Sequence, residues 1–169
     1  MALLAITACH NQYVSREQAK LPYKVAGAND IKIMDMQARF NLEGVKTLSI
    51  GQDYMISIPS SFLFPNESPR LTWSSYALLN AVACYLKEFH KVSITVTAYS
   101  NKCVSAKRDH ALTLARAREV GNYLWSQGVD SRFIFTQGLG SDKPIGGCIK
   151  KGDGSLNSRI EITFRDAVA

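Results

Sequence analysis

The most regular stretch of the chain is Val92 to Tyr99, where apolar and hydroxyl side chains alternate and β-branched residues dominate. A period of two in such residues predicts a half-buried strand. Two shorter alternating runs, Lys46 to Ile50 and Tyr54 to Ile58, flank Gly51-Gln52-Asp53 and predict a hairpin. Phe62 to Leu71 contains Pro65, Asn66 and Pro69 and reads as a loop. Beyond it the period lengthens: Leu78, Leu79, Val82, Leu86 and Phe89 recur at helical spacing, with Ser74 or Ser75 as the cap. A second helix is expected from a Thr113 N-cap to about Gln127, with Ala117, Val120 and Leu124 inward and Gly128 as its stop. Strands follow at Arg132 to Thr136 and Arg159 to Phe164, separated by a turn region from Gly138 to Pro144. The order hairpin, helix, strand, helix, strand, loop, strand predicts a two-layer α/β sandwich, a mixed sheet with two main helices on one face.

Residues 10–45 are different, because Pro22, Gly27 and Gly44 interrupt a polar stretch without sustained periodicity. They read as a tether, within which Ile31-Lys32-Ile33-Met34 alternates enough for a short strand or a partner-binding segment. As coil, such a tether has a mean span of roughly 30 to 35 Å and a stretched reach of roughly 120 Å. The folded domain is expected over residues 46–165.

Composition adds two constraints. The 169 residues suit one ordinary domain plus a tail, and the 46% hydrophobic content is enough for a core. A net charge of +6 calls for an anionic partner, whether nucleic acid, acidic lipid or a carboxylate-rich polymer. No basic helix and no aromatics interleaved with Lys and Arg on strands accompany that charge, so nucleic acid is not the expected partner. No apolar run reaches the roughly 20 residues of a membrane-spanning helix. There is no nucleophile, base and orienting-acid set and no phosphate-cradling glycine loop, which makes a non-catalytic protein the expectation.

Met1 to Cys9 runs apolar into small residues and a cysteine, as the end of a secretory leader does. Ile6-Thr7-Ala8-Cys9 resembles the bacterial lipobox, in which the thiol receives a lipid. That resemblance makes residues 1–9 the end of a signal peptide, Cys9 the lipidation site, and His10 a residue compatible with outer-membrane sorting. Several buried acyl chains, at about 0.8 kcal/mol per methylene, hold such a protein on its membrane.

Four ordered blocks carry a second resemblance: Val96-Thr97-Ala98-Tyr99-Ser100-Asn101, Asp109 to Ala117, Gln137 to Pro144, and Asn157-Ser158-Arg159-Ile160-Glu161-Ile162. With Phe62 to Leu71, they resemble the OmpA-like C-terminal (peptidoglycan-associated) domain, whose patterns run G-H-T-D, N-x-x-L-S-x-x-R-A, G-x-G-x-x-x-P and N-R-R-V-E-I. The resemblance implies a pocket that grips the diaminopimelate of a peptidoglycan stem peptide. That zwitterion requires an acceptor for its ammonium and a planar cation for its carboxylate. Arg116 stands at the family's arginine, close after the Thr113 cap in this reading, and Asn101 stands where the family has aspartate. Asp109 stands where the family has asparagine, so either the two side chains have exchanged roles across the pocket or Asp109 caps a turn. Pro65 and Ser158 also depart from the pattern, leaving Arg159 of the final arginine pair.

The expected peptidoglycan-binding set is therefore Asn101, Asp109, Thr113, Arg116 and Arg159. Cys103 and Cys148 fall in loops that border the pocket in the family, either as a disulfide or as two thiols. Cys84 is expected to pack as a small apolar group. His110 with Cys103 and Cys148 lacks metal-ligand spacing, so no metal and no cofactor are expected. Lys102, Lys107, Arg108, Lys143, Lys150 and Lys151 are either solvated charge or an attraction for wall carboxylates. Two functions follow: a lipoprotein linking the outer membrane to the cell wall, or a scaffold subunit of an envelope-spanning complex such as a type IV secretion core, with weakened peptidoglycan binding.

Overall fold

The computed structural model describes residues 31–101, 105–129, 134–146 and 155–167. In chain order its elements are α1 (Ile31–Leu42), β1 (Lys46–Ile50), β2 (Asp53–Pro59), the single turn α2 (Ser60–Leu63), α3 (Ser75–Lys87), β3 (Lys91–Tyr99), α4 (Ala106–Ser126), β4 (Ile134–Gly138) and β5 (Arg159–Asp166). The expected hairpin forms with Ile50 opposite Asp53, so Gly51 and Gln52 alone make the turn. Gly51 has φ 61°, a left-handed conformation that two-residue hairpin turns use to match strand twist.

The sheet is mixed, in the order β1-β2-β5-β3-β4. β5 lies antiparallel between β2 and β3, and β4 runs parallel to β3 at the edge. The last strand in sequence is thus central. Registered pairs carry the core across it, with Ile56 opposite Ile162 and Ile58 opposite Ile160 on one side, and Val96 opposite Ile162 and Ala98 opposite Ile160 on the other. All six of these side chains are buried. Leu79, Val82 and Leu86 of α3 and Ala117, Val120 and Leu124 of α4 bury against the same layer, which is the two-layer α/β architecture expected from the alternation.

Three expectations are corrected. Residues 31–42, read as tether or strand, are helical, because Ile33, Met36 and Phe40 recur at steps of three and four and pack on the core. The Phe40 ring meets the edge of Tyr85 at 5.6 Å, and Gln37 Nε2 donates to the Tyr85 hydroxyl at 2.7 Å. Asn41 then reaches edge strand β1, its Oδ1 accepting from Thr47 N at 3.2 Å. The second correction concerns α4, which starts at Ala106, with Ser105 as its extended N-cap accepting from Arg108 N at 3.3 Å. Thr113 is therefore an interior helical residue, not a cap. The third concerns Cys84, which is exposed, because the inward stripe of α3 runs through Leu79, Val82, Ala83 and Leu86 and leaves it outside.

Candidate functional site

The C-terminal end of β3, the first turns of α4 and the N-terminal end of β5 converge at one end of the sheet. Buried polar residues collect there: Ser100, Asn101, Asp109, Thr113, Asn157, Ser158 and Arg159. Such groups cost stability unless hydrogen bonded.

Asn157 organises the β5 side. Its Oδ1 accepts from both Ile145 N and Gly146 N at 2.9 Å, which fixes the amide's orientation without ambiguity. Its Nδ2 is then left to donate to Gly146 O at 3.1 Å and to Asn101 Oδ1 at 3.3 Å. Asn101 N in turn donates to Ser158 Oγ at 3.0 Å. Ser158, where the resembling pattern has arginine, thus receives the backbone of the very residue that stands at the pattern's aspartate. Next to Asn101, the buried Ser100 hydroxyl has no hydrogen-bond partner among the described residues. Sequence reading omitted Asn157 and Ser100 from the site, although both lie within the quoted blocks.

The helix side is joined through Gly140. Ser100 N donates to Gly140 O at 2.7 Å, and Gly140 N donates to Thr113 Oγ1 at 3.1 Å. Thr113 Oγ1 also lies 2.8 Å from Asp109 O and 3.1 Å from His110 O, turning its hydroxyl back onto its own helix. Gly140 has φ 52°, and a Cβ there would come within 3.5 Å of Asp109 Cβ. Gly138, two residues earlier, passes so close to α4 that a Cβ would collide with the Leu114 backbone. These close approaches give the G-x-G spacing its physical meaning. Asp109, in the first turn of α4, occupies the helix end where the dipole favours a carboxylate. Asp109 and Asn101 therefore flank the same glycine turn from opposite elements.

Arg116 is not near the helix N-terminus, because α4 begins ten residues earlier than it. It is fully buried, with Nε donating to Ser68 O at 2.9 Å and Nη2 to Pro65 O at 3.4 Å, and its guanidinium lies 5.0 Å from the Phe64 ring centroid. It ties α4 to the 64–71 loop. Arg159 is also enclosed: its Nε donates to Glu161 Oε1 at 2.7 Å, Nη1 to Asn157 O at 3.2 Å, and Nη2 to Lys143 O at 3.3 Å. Its guanidinium stacks 3.9 Å from the Tyr99 ring centroid. The Tyr99 hydroxyl is pushed up from its ordinary value, first by burial and then by the Glu161 carboxylate, with Arg159 opposing.

His110 is engaged with Gly138 O at 3.1 Å and with Asp142 Oδ2 at 3.3 Å. No group of three or more metal-ligating side chains occurs among the described residues. Arg108 pairs with Glu67 at 3.0 Å on the rim. Cys9, Cys103, Cys148, Lys102, Lys150 and Lys151 lie outside the described residues. No described helix is long and apolar enough to cross a membrane.

The chain is an α/β sandwich whose strand and helix ends enclose a buried polar cluster. The model of the OmpA family matches residues 63–155, more than half of the sequence, and the chain belongs to that family. The probable lipoprotein YiaD of Escherichia coli K12 is 29% identical over 135 residues, covering 80% of this chain and 62% of YiaD. The peptidoglycan-binding protein ArfA of Mycobacterium tuberculosis H37Rv is 33% identical over 99 residues, covering 59% of this chain and 30% of ArfA. The chain thus spans less than two thirds of the length of either relative. Among solved structures, the cell wall anchor of the type VI secretion system from Pseudomonas aeruginosa superimposes with a TM-score of 0.71 at 22% identity, covering 80% of this chain and 97% of that one.

Proposed function

We propose that this chain is a non-catalytic envelope lipoprotein, lipid-anchored on the outer membrane through Cys9, that binds peptidoglycan by the diaminopimelate of its stem peptide. The observation that supports the reading is that Gly140 holds Ser100, the neighbour of Asn101, by a hydrogen bond and lies against Asp109, and that Asn101 and Asp109 stand at the two positions where the family pattern keeps one carboxylate and one amide. The relatives named as a peptidoglycan-binding protein and a probable lipoprotein support the same direction. With the identities exchanged, Asp109 supplies the acceptor for the ligand ammonium, and Asn101, Ser100 and Thr113 line the approach to it. A charge-assisted hydrogen bond of this kind is roughly twice as strong as a neutral one, so the carboxylate decides affinity more than the amide does. Arg116 contributes by holding the 64–71 loop against α4, and Arg159 by fixing the Lys143 and Asn157 backbone around the opposite rim.

Co-sedimentation with purified sacculi tests this. The wild type is expected to be retained, Asp109→Asn to lose most retention, and Asn101→Asp to gain it. No retention of the wild type, or retention indifferent to Asp109→Asn, removes the reading.

The enclosure of Arg116 and Arg159 favours a second reading, in which the domain serves as a scaffold subunit of an envelope-spanning complex. Both guanidiniums have backbone partners, so they build the fold whether or not the wall is bound. A copurifying membrane assembly that dissociates on loss of this protein, together with absent sacculus retention, selects that reading.

A further inference from the structure

A groove of about 300 Å³ opens beside the polar cluster, between the start of β1, the end of β2, α2 and the loop into β5. It shares Ser158 and Arg159 with that cluster, so a ligand at Asn101 and Asp109 has the groove as its immediate neighbour. Three large apolar side chains stand around it in water: Phe62, 40% exposed, Ile145, 66% exposed, and Leu156, 72% exposed. Concentrated exposed apolar surface marks a binding site more often than an accident of packing. Within the same groove lie the hydroxyls of Ser57 and Ser61 and the side chain of Lys46, which makes no ion pair among the described residues. Between the lining residues Pro59 and Ser61, the buried Ser60 hydroxyl has no hydrogen-bond partner among the described residues.

We infer that this groove binds the N-acetylmuramoyl sugar at the end of the same wall ligand. The inference rests on the wall-binding reading and deepens it. An acylated amino sugar presents methyl groups and a C–H face suited to an aromatic ring, hydroxyls suited to serine, and acetamido and lactyl carbonyls suited to the Lys46 ammonium. A polymer of repeating carboxylates also complements the chain's charge of +6. At about 300 Å³ the groove is large enough for one such ring. The Phe62 ring edge rests 3.3 Å from where a Cβ on Gly44 would be, so the absence of a side chain at Gly44 leaves the ring its place at the rim.

Calorimetry on the full chain with two ligands tests it: the tripeptide L-alanyl-D-glutamyl-diaminopimelate, and the same tripeptide carrying N-acetylmuramic acid. The sugar-bearing ligand is expected to bind about tenfold tighter, as one aromatic contact and one hydrogen bond from an ammonium to a carbonyl supply. Phe62→Ser and Lys46→Ala are each expected to shrink that ratio toward one, leaving tripeptide affinity unchanged. Both side chains are solvent-exposed, and circular dichroism checks that the variants fold. Equal affinity of the two ligands for the wild type overturns the groove assignment while the tripeptide site stands. Failure of both ligands to bind overturns the wall reading and the groove together. If the variants instead lower the sedimentation coefficient of the unliganded protein and leave the ligand ratio unchanged, the groove belongs to a second copy of the chain, and the inference is wrong.

Discussion

Asn157 Nδ2 lies 3.3 Å from Asn101 Oδ1, and the two amides together span the gap between the end of β3 and the start of β5. Because Asn157 Oδ1 already holds two backbone N–H groups, this orientation is the one the network allows. Replacing Asn157 by alanine strands those donors and removes the Nδ2 donor from Asn101 Oδ1, at an expected cost of about 2 to 3 kcal/mol in urea unfolding. Asn157→Asp is expected to be no better, since a carboxylate would face Gly146 O and Asn101 Oδ1 where donors stood.

Arg116 joins α4 to the carbonyls of Pro65 and Ser68 from a fully buried position. Arg116→Ala is expected to cost about 3 kcal/mol or more, since two part-buried carbonyls lose their charged partner and a void opens beside Phe64. Arg116→Lys should recover only part of it, an ammonium lacking the planar fork that serves two carbonyls. Amide hydrogen exchange across residues 64–72 should rise in both variants, and unchanged exchange there would refute the anchoring role.

At Gly138 the Leu114 backbone leaves no room for a methyl group. Gly138→Ala should cost about 2 kcal/mol or more by overpacking, because backbone cannot move aside as a flexible side chain can. Gly51→Ala meets no atoms and is expected to cost about 1 kcal/mol, from left-handed strain alone. Thermal unfolding of the pair ranks the two effects, and an equal loss would show that conformation, not contact, governs both.

Burial pushes the Tyr85 hydroxyl up to about 12 from its ordinary 10.0, with Gln37 opposing and Tyr54 adding to the rise. The unfolded chain therefore releases this proton first. The stability it contributes is whole below pH 10 and declines as pH climbs to about 12, by up to roughly 2 to 3 kcal/mol. Lys91, held below its ordinary 10.5 by burial, works in the opposite sense as pH approaches 10.5, so the fall is clearest above that. Urea midpoints for wild type and Tyr85→Phe at pH 9 and pH 11.5 check it, the variant being expected to lose less.

The strands and the inward faces of α3 and α4 were legible because periodicity records burial directly: Val96, Ala98, Ile160 and Ile162 alternate into the core, and Val82, Leu86, Val120 and Leu124 keep helical steps. α1 escaped because Ile31-Lys32-Ile33 mimics a strand over three residues, while the helical signal at Ile33, Met36 and Phe40 needs the eight residues from Ile33 to Phe40 to emerge. The α4 start was missed because Lys107, Arg108 and Asp109 look like loop and Thr113 has the chemistry of a cap, whereas the extended backbone at Ser105 marks the actual start. At the site, residue types were readable but partners were not. Whether an arginine faces solvent or a carbonyl 48 residues away depends on where the 64–71 loop lies, which no local pattern encodes.

A sheet that ends in an open strand offers its backbone to any extended chain that drifts against it. Here β1 is such a margin, and the outward amide of Thr47 is taken by the side chain of Asn41 from α1. The helix thereby works as a doorstop: in a crowded compartment it denies the first rung to an incoming strand and keeps neighbouring molecules from zipping together along that border.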